Sequence, residues 1–376
     1  MDFQNIIIKN KYKLMNVIGE GGMSYVYQAH HLSDINQKYA VKILKNDAIS
    51  PYIDDIIRFN LEATTISKIE HPNIVKVFEA GEYNQFHYIV MELLEGENLH
   101  NFLNSHKNLS YEACLTIFYN ICTALEYIHS RGLIHRDLKL NNIIITNNED
   151  YSLKLIDFGL SQIKELSTIT QKEEIIGTFS YMSPEQCGLI KKPIDERSDL
   201  YSLGIIFYKL LSGKFPYTGE TVSEIIHQHA AKIPEKLSKV PQVPEIIDKI
   251  VFKLLEKEPE MRYQSIKGLL PDVVRIKNND YAFIPGYDDD QIKLSYRTPL
   301  VSRVEELNKI YDAFRQLNNN QGSFVLIGGE AGSGKTRLVQ EFFEQIKKEN
   351  IICIEGKCFS GVTKTPYSPL KDALHM

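Results

Sequence analysis

HRDLKLNN, residues 135–142, and DFG, residues 157–159, decide the reading of this chain. Upstream lies YEACLTIFYNICTALEYIHSRG (111–132), apolar at helical spacing and closed by Arg131-Gly132, a good helix stop. Between the two stretches run NIIIT and LKLID, short β-type pieces, so the charged residues sit on loops at the ends of strands. Downstream the pattern is helical again, in SDLYSLGIIFYKLLSG, TVSEIIHQH, PEIIDKIVFKLLEK and SIKGLLPDVV. Further upstream the first ninety residues read mostly as strands: KYKLMNVIG, YVYQAHHL, QKYAVKIL, IVKVFEAGEY and FHYIVMELL. One helix, residues 54–69, interrupts them, with Ile57, Leu61, Ile66 and Ile69 on its apolar side and Pro72 just past its end. A β-rich lobe therefore precedes an α-rich one, an α+β arrangement.

Three features of the β-rich part extend the pattern. GEGGMSYVY, Gly19 to Tyr27, joins two strands, and glycines there let a tight hairpin bring backbone N–H groups close to phosphate. Lys42, in the apolar strand YAVKIL, calls for an anionic partner, and Glu62 on the following helix can supply one. Alone, each has a bland explanation, a glycine turn and a snorkelling lysine. Together, GEGGMS, VKIL, Glu62, HRD with Asn142 five residues after Asp137, DFG, and SPE at residues 183–185 occur in order. In this the chain resembles the eukaryotic-like protein kinases, over about 260 residues that extend to Asp199 in RSDLYSLG and Arg262 in EPEMRYQS.

The resemblance implies a two-lobed kinase fold and a role for each residue. Lys42 would hold the α- and β-phosphates of ATP and Glu62 would fix Lys42. Asn142 and Asp157 would ligate Mg²⁺ through hard oxygen donors. Asp137 would orient the substrate hydroxyl and accept its proton, and Lys139 would neutralise the γ-phosphate. That lysine resembles serine/threonine kinases, as does Thr178 in GTFSYMSPE. The nucleotide would lie under Ile18, Gly19, Glu20, Gly21, Gly22, Met23, Ser24, Tyr25 and Val26. Adenine would sit between Val26 and Ala40 above and Ile144 below, against backbone groups of Glu92 and Leu94, with Met91 as gatekeeper. Ile66, Val77, His135 and Phe158 would form an apolar column between the lobes. Two positions depart from the pattern. Ser24 replaces a glycine, as in bacterial members whose loop reads GGMS, and Leu140 stands where many kinases carry proline; neither removes a ligand.

Arg136 precedes Asp137, and arginine there usually accompanies an activation loop ordered by phosphate pairing. The loop offers Ser161, Ser167, Thr168 and Thr170, of which Thr170 best matches a bacterial activation-loop threonine, so its autophosphorylation is expected to raise activity.

A second phosphate motif, GGEAGSGKT, satisfies G-x-x-x-x-G-K-[ST] through Gly329, Gly332, Gly334, Lys335 and Thr336. SFVLIG before it reads as a buried strand, TRLVQEFFEQIKKEN after it as an amphipathic helix, and IICIEG as the next strand, the context a P-loop needs. With RTPLVSRVEELNKI before and PYSPLKDAL after, this segment resembles the start of STAND or AAA-like ATPase modules. Ser302 departs from the glycine usual there, and no later strand supplies a Walker B carboxylate.

The expected organisation is a kinase domain at 12–274, a linker at 275–299 and a partial P-loop module at 300–376. Asp288, Asp289 and Asp290 in the linker read as solvated. With 43% hydrophobic and 24% charged residues the chain has mass for a core, and a net charge of −5 points to neither nucleic acid nor an anionic membrane as partner. Five cysteines without C-x-x-C spacing read as reduced thiols, and no apolar run reaches the roughly 20 residues of a membrane span, so a cytoplasmic protein is expected. The expected partners are proteins carrying acceptor Ser or Thr hydroxyls. A competing reading is a signalling scaffold gated by nucleotide at the P-loop, with the kinase incidental.

Overall fold

The computed structural model describes residues 3–21, 24–44, 67, 69–84, 86–106, 109–157, 177–292, 304–316, 322–328 and 335–346. It divides into two compact units, 1–295 and 296–376.

The first unit opens with an antiparallel sheet of β1 (Ile7–Ile8), β2 (Tyr12–Glu20), β3 (Ser24–His31), β4 (Asp34–Leu44), β5 (Val77–Tyr83) and β6 (Phe86–Glu92), in the order β1-β2-β3-β4-β6-β5. Alternation sets its two faces. Tyr39, Val41 and Ile43 of β4 and Tyr88 and Val90 of β6 join Leu14, Tyr27 and Ala29 in one core, which Phe3 and Ile8 complete from the N-terminal side. Ala40, Ile89 and Met91 point the other way and belong to the core shared with the helices. Lys42, two residues from Ala40, lies on that second face.

The helical part comprises α1 (Leu99–Ser105), α2 (Tyr111–His129), α3 (Glu196–Ser212), α4 (Val222–Ala231), α5 (Glu245–Leu254), α6 (Ile266–Lys277) and α7 (Tyr287–Ile292). Their starts follow capping chemistry: the side chains of Ser110, Asp195, Thr221 and Ser265 accept from backbone N–H groups of the first turns of α2, α3, α4 and α6. Helices α2 and α3 form the centre, with Phe118 stacked on Phe207 at 3.8 Å between ring centroids. A small sheet of β7 (Glu97–Asn98), β8 (Ile143–Asn147) and β9 (Ser152–Leu155) carries the loops of interest. Where residues 73–75 run beside β9, Val75 N–H donates to Leu155 O at 2.9 Å and Leu155 N–H to Asn73 O at 2.9 Å, a backbone seam between β-rich and helical parts. The expected helix at 54–69 lies almost wholly outside the described residues.

Two readings from the sequence differ from the structure. Asp289, expected in the linker as a solvated residue, is not solvated. Asp289 is 1% exposed, and its carboxylate accepts from Gln264 N–H at 2.5 Å and Ser265 Oγ at 3.2 Å, docking α7 on the start of α6. Gly268 has no side chain, which is what admits Asp289. In the second unit, α8 (Val304–Arg315) and α9 (Lys335–Ile346) pack through Ile310, Leu338, Phe342 and Ile346, as the amphipathic pattern implies. Residues 323–328, however, form no strand, and Phe324 and Leu326 are 88% and 84% exposed. A buried parallel strand owes its hydrogen bonds and its burial to neighbouring strands, and none stands among the described residues of this unit.

Candidate active site

The loop 135–142 is held from below by a buried carboxylate. Asp199, in the first turn of α3 and 1% exposed, accepts from His135 N–H and Arg136 N–H, each at 2.7 Å, and from His129 Nε2 at 2.8 Å. Burial alone would raise its pKa, but His129, His135 and these donors hold it below the usual carboxylate range. His135 is fully buried, its ring against Ile156 O at 3.2 Å, and burial lowers its pKa. Arg136 takes a left-handed conformation, φ 63°, so the loop turns sharply just before Asp137.

Two of the predicted catalytic side chains contact a third, Asp137. Lys139 Nζ lies 2.9 Å from Asp137 Oδ2, and Asn142 Nδ2 donates to Asp137 Oδ2 at 2.9 Å and Asp137 O at 2.8 Å. Both amide hydrogens of Asn142 are thereby used, and its amide oxygen is the group left as an acceptor. Asp157, two residues past the end of β9, also has positive φ, 58°. Its Oδ1 accepts from Lys42 Nζ at 2.6 Å, a contact that reaches across from β4. Burial opposes its charge, yet Lys42, then Lys139, hold its pKa below the ordinary value. Glu62, the partner expected for Lys42, lies outside the described residues, as do Phe158, Ile66 and Thr170. Of the expected column between lobes, Val77 and His135 are buried, at 5% and 0% exposure.

The nucleotide positions fall on adjacent strands. Gly19 pairs with Val26 and Glu20 with Tyr25 across the β2–β3 hairpin, and Gly21 N–H donates to Ser24 O at 2.9 Å. Ile18 is 46% exposed, as a roof residue over a cleft can be. Gly22 and Met23 lie outside the described residues. Val26 is opposite Lys42, and Ala40 opposite Met91, so roof, lysine and gatekeeper positions share three neighbouring strands. Ile144, on β8, and Leu94 are half-buried. Glu92 N–H is committed to Lys76 O at 2.9 Å, while its carboxylate accepts from Lys76 N–H and Lys154 Nζ, both at 2.7 Å. Of the Glu92 backbone, the carbonyl is thus the part an adenine edge could use.

Behind the loop stands segment 177–187. Glu185 and Arg262, both fully buried, form a two-pronged ion pair at 2.7 and 2.8 Å, and Ser198 Oγ donates to Glu185 at 2.7 Å. Arg262 pulls the Glu185 pKa below its ordinary value against the effect of burial. Sequence reasoning missed Gln186, whose Nε2 donates to Arg136 O at 2.7 Å, His129 beneath Asp199, and Lys154 beside Glu92. Each acts through a partner distant in sequence, so no local pattern marks it. At the second phosphate motif, Lys335 opens α9; Gly329, Gly332 and Gly334 are outside the described residues, and so is the side chain of Thr336.

Among the described residues no cluster of three or more His, Cys, Asp or Glu could hold a metal by itself. The cysteines described, Cys114, Cys122 and Cys187, are free thiols, and no described helix is long and apolar enough to cross a membrane.

A strand-borne lysine paired to an aspartate, with a loop aspartate held by lysine and asparagine, where a β-sheet meets a helical part, is an arrangement suited to a phosphate-transferring fold. Comparison fixes the family. The protein kinase domain matches residues 12–272, and the chain belongs to that family. Residues 299–375 match the AAA ATPase domain. A probable serine/threonine-protein kinase of Clostridium perfringens is 35% identical over 307 residues, 80% of this chain and 44% of that protein. Serine/threonine-protein kinase PrkC of Bacillus subtilis is 35% identical over 272 residues, 71% of this chain and 40% of that protein. PknB of Mycobacterium leprae is 33% identical over 276 residues, 72% and 43% of the two chains. The chain thus spans less than half the length of these curated relatives. Among solved structures, Rad53 1–466 in complex with AMP-PNP matches with a TM-score of 0.58 and 26% identity, covering 73% of this chain and 66% of that one. The kinase domain of Mycobacterium tuberculosis PknI matches in fold, with a TM-score of 0.57 at 22% identity over 74% of this chain and 98% of that one.

Proposed function

We propose that the chain is an ATP-dependent serine/threonine protein kinase that transfers the γ-phosphate of ATP to Ser or Thr hydroxyls of proteins, in cytoplasmic signalling. The observation that carries this reading is the convergence of Lys139 and Asn142 on Asp137 opposite the Lys42–Asp157 pair. Asp137, fixed through side chain and backbone, orients an acceptor hydroxyl and takes its proton as the bond to phosphorus forms. Lys139 and Lys42 supply positive charge on either side of the transferring group, where fixed charges need no rearrangement during the reaction.

The donor set suits Mg²⁺. The amide oxygen of Asn142 and the second carboxylate oxygen of Asp157 are hard ligands. A cation that keeps several waters and binds substrate phosphates needs few protein groups. Bound there, Mg²⁺ would neutralise phosphate charge.

Gly19 to Val26 are read as the cover over the phosphates, and Ala40, Met91, Glu92, Leu94 and Ile144 as the adenine environment. The names of the relatives support the choice of Ser/Thr acceptors. Incubation of the purified chain with labelled ATP, Mg²⁺ and a generic basic protein should label Ser and Thr, and Asp137→Asn should lower transfer by about 10²- to 10⁴-fold. Transfer that Asp137→Asn leaves unchanged would end the assignment.

A further inference from the structure

We propose that Gln186 is a positioning residue for Asp137, tying the orientation of the catalytic loop to segment 177–187; this rests on the kinase reading above. The peptide between Arg136 and Asp137 determines where the Asp137 side chain starts. Its N–H donates to His135 O at 2.8 Å and its carbonyl accepts from Gln186 Nε2 at 2.7 Å. The preceding peptide is held through Arg136 N–H by Asp199 at 2.7 Å. Asp199 fixes the loop from α3, and Gln186 fixes it from segment 177–187. The left-handed Arg136, φ 63°, is what turns its carbonyl toward Gln186, and such a conformation persists where neighbours over-determine it.

The neighbours also decide which way the carboxamide points. Ser183, fully buried, presents its backbone N–H and its hydroxyl to Gln186 Oε1, both at 3.1 Å. A backbone N–H can only donate, so oxygen faces Ser183. The Arg136 carbonyl can only accept, so nitrogen faces Arg136. A side chain with a donor at one prong and an acceptor at the other is therefore required. Asparagine lacks the reach, and glutamate replaces the donor by an anion pressed on a carbonyl oxygen. Because Ser183 and Gln186 follow directly on residues 177–182, displacement of that segment would be felt at the Asp137 peptide through one hydrogen bond.

The test uses the full chain with Gln186→Glu and Gln186→Met, the wild type and Asp137→Asn alongside, and a Ser/Thr peptide as acceptor. At pH 8, Gln186→Glu should lower kcat about 10- to 100-fold, the scale of one lost hydrogen bond plus an opposed charge. KM for peptide and affinity for a non-hydrolysable ATP analogue should stay near wild type. As pH falls toward 5, the introduced carboxyl gains a proton, its hydroxyl can donate to Arg136 O, and kcat relative to wild type should rise severalfold. Gln186→Met, which cannot titrate, should lower kcat without that recovery and serves alone should Gln186→Glu fail to fold. Wild-type kcat in the folded variants, a defect confined to KM, or a Gln186→Glu deficit independent of pH would each overturn the proposal. Transfer that needs Asp137 in the same assay keeps the kinase reading whatever Gln186 does, whereas no transfer by the wild type would remove both.

Discussion

Replacing Arg262 by methionine should destabilise the first unit by about 3–5 kcal/mol, the cost of removing one partner from a buried ion pair. Every N–H of this guanidinium is in use. Nε donates to Glu256 O at 2.8 Å, one terminal nitrogen to Glu185 Oε1 and Arg197 O at 2.7 and 3.0 Å, and the other to Glu185 Oε2 and Lys257 O at 2.8 and 2.9 Å. Methionine fills much of the volume but leaves three carbonyls and a fully buried carboxylate, with Ser198 Oγ as the donor still facing Glu185. For a domain of this size about 2 °C accompanies each kcal/mol, so the unfolding midpoint should fall by about 6–10 °C near pH 7. The pH dependence identifies the cause. In the wild type Glu185 has a lowered pKa, so it contributes stability above its unfolded value, lost as pH falls through its folded one. In Arg262→Met burial outweighs the hydrogen bond left from Ser198, the folded pKa lies above the unfolded one, and the penalty develops as pH rises past about 4.3. The gap between the two proteins should therefore be widest at neutral pH and shrink toward pH 4.5, while Glu185→Gln in the Arg262→Met background should restore part of the midpoint at neutral pH. Thermal unfolding followed by circular dichroism from pH 7.5 to 4.5 reads both. A drop under about 2 °C at pH 7, or a gap that does not change with pH, would refute the reasoning.

Asp199→Asn should leave the fold in place but turn a donor toward His135 or Arg136 N–H, and kcat should fall about 10- to 100-fold with the affinity for an ATP analogue kept; steady-state kinetics with analogue titration checks it. Thr170→Ala should lower the activity reached after preincubation with ATP, and peptide mass mapping before and after ATP should find phosphate on Thr170 in the wild type; full activity with Thr170 unmodified would sink the switch. Lys335→Ala should lower the number of ATP-analogue sites titrated on the whole chain from two to one and leave peptide phosphorylation within about twofold; two sites retained in the variant would remove the P-loop reading.

How legible each part was depends on how local its determinants are. Asp137, Lys139 and Asn142 converge within one turn of a loop, so spacing in HRDLKLNN carries their geometry. Lys42 was legible for a different reason: strand alternation puts it on the face of Ala40, and an apolar strand does not hide a lysine without an anion. The anion described for it is Asp157, itself read from DFG. Gln186, His129 and Lys154 bind backbone carbonyls or carboxylates brought near only by the fold, and a lone glutamine, histidine or lysine has no pattern to betray it. The aspartates after α6 failed for a related reason. Segment 278–292 docks through Phe283, half-buried against the helical core, and through polar caps, Asp289 on Gln264 and Ser265 and Asp272 on Gly286 N–H at 2.6 Å, a pattern without hydrophobic periodicity. SFVLIG shows the converse. Its composition suits a strand, but strandness is a property of pairing, and residues 323–328 have no ladder among the described residues. Helices α8 and α9 are present and pack chiefly through each other's apolar faces, with Ile327 against them. A helix carries its hydrogen bonds within itself, a strand borrows them, and the described residues of the segment that matches an ATPase domain accordingly form helices and no strand.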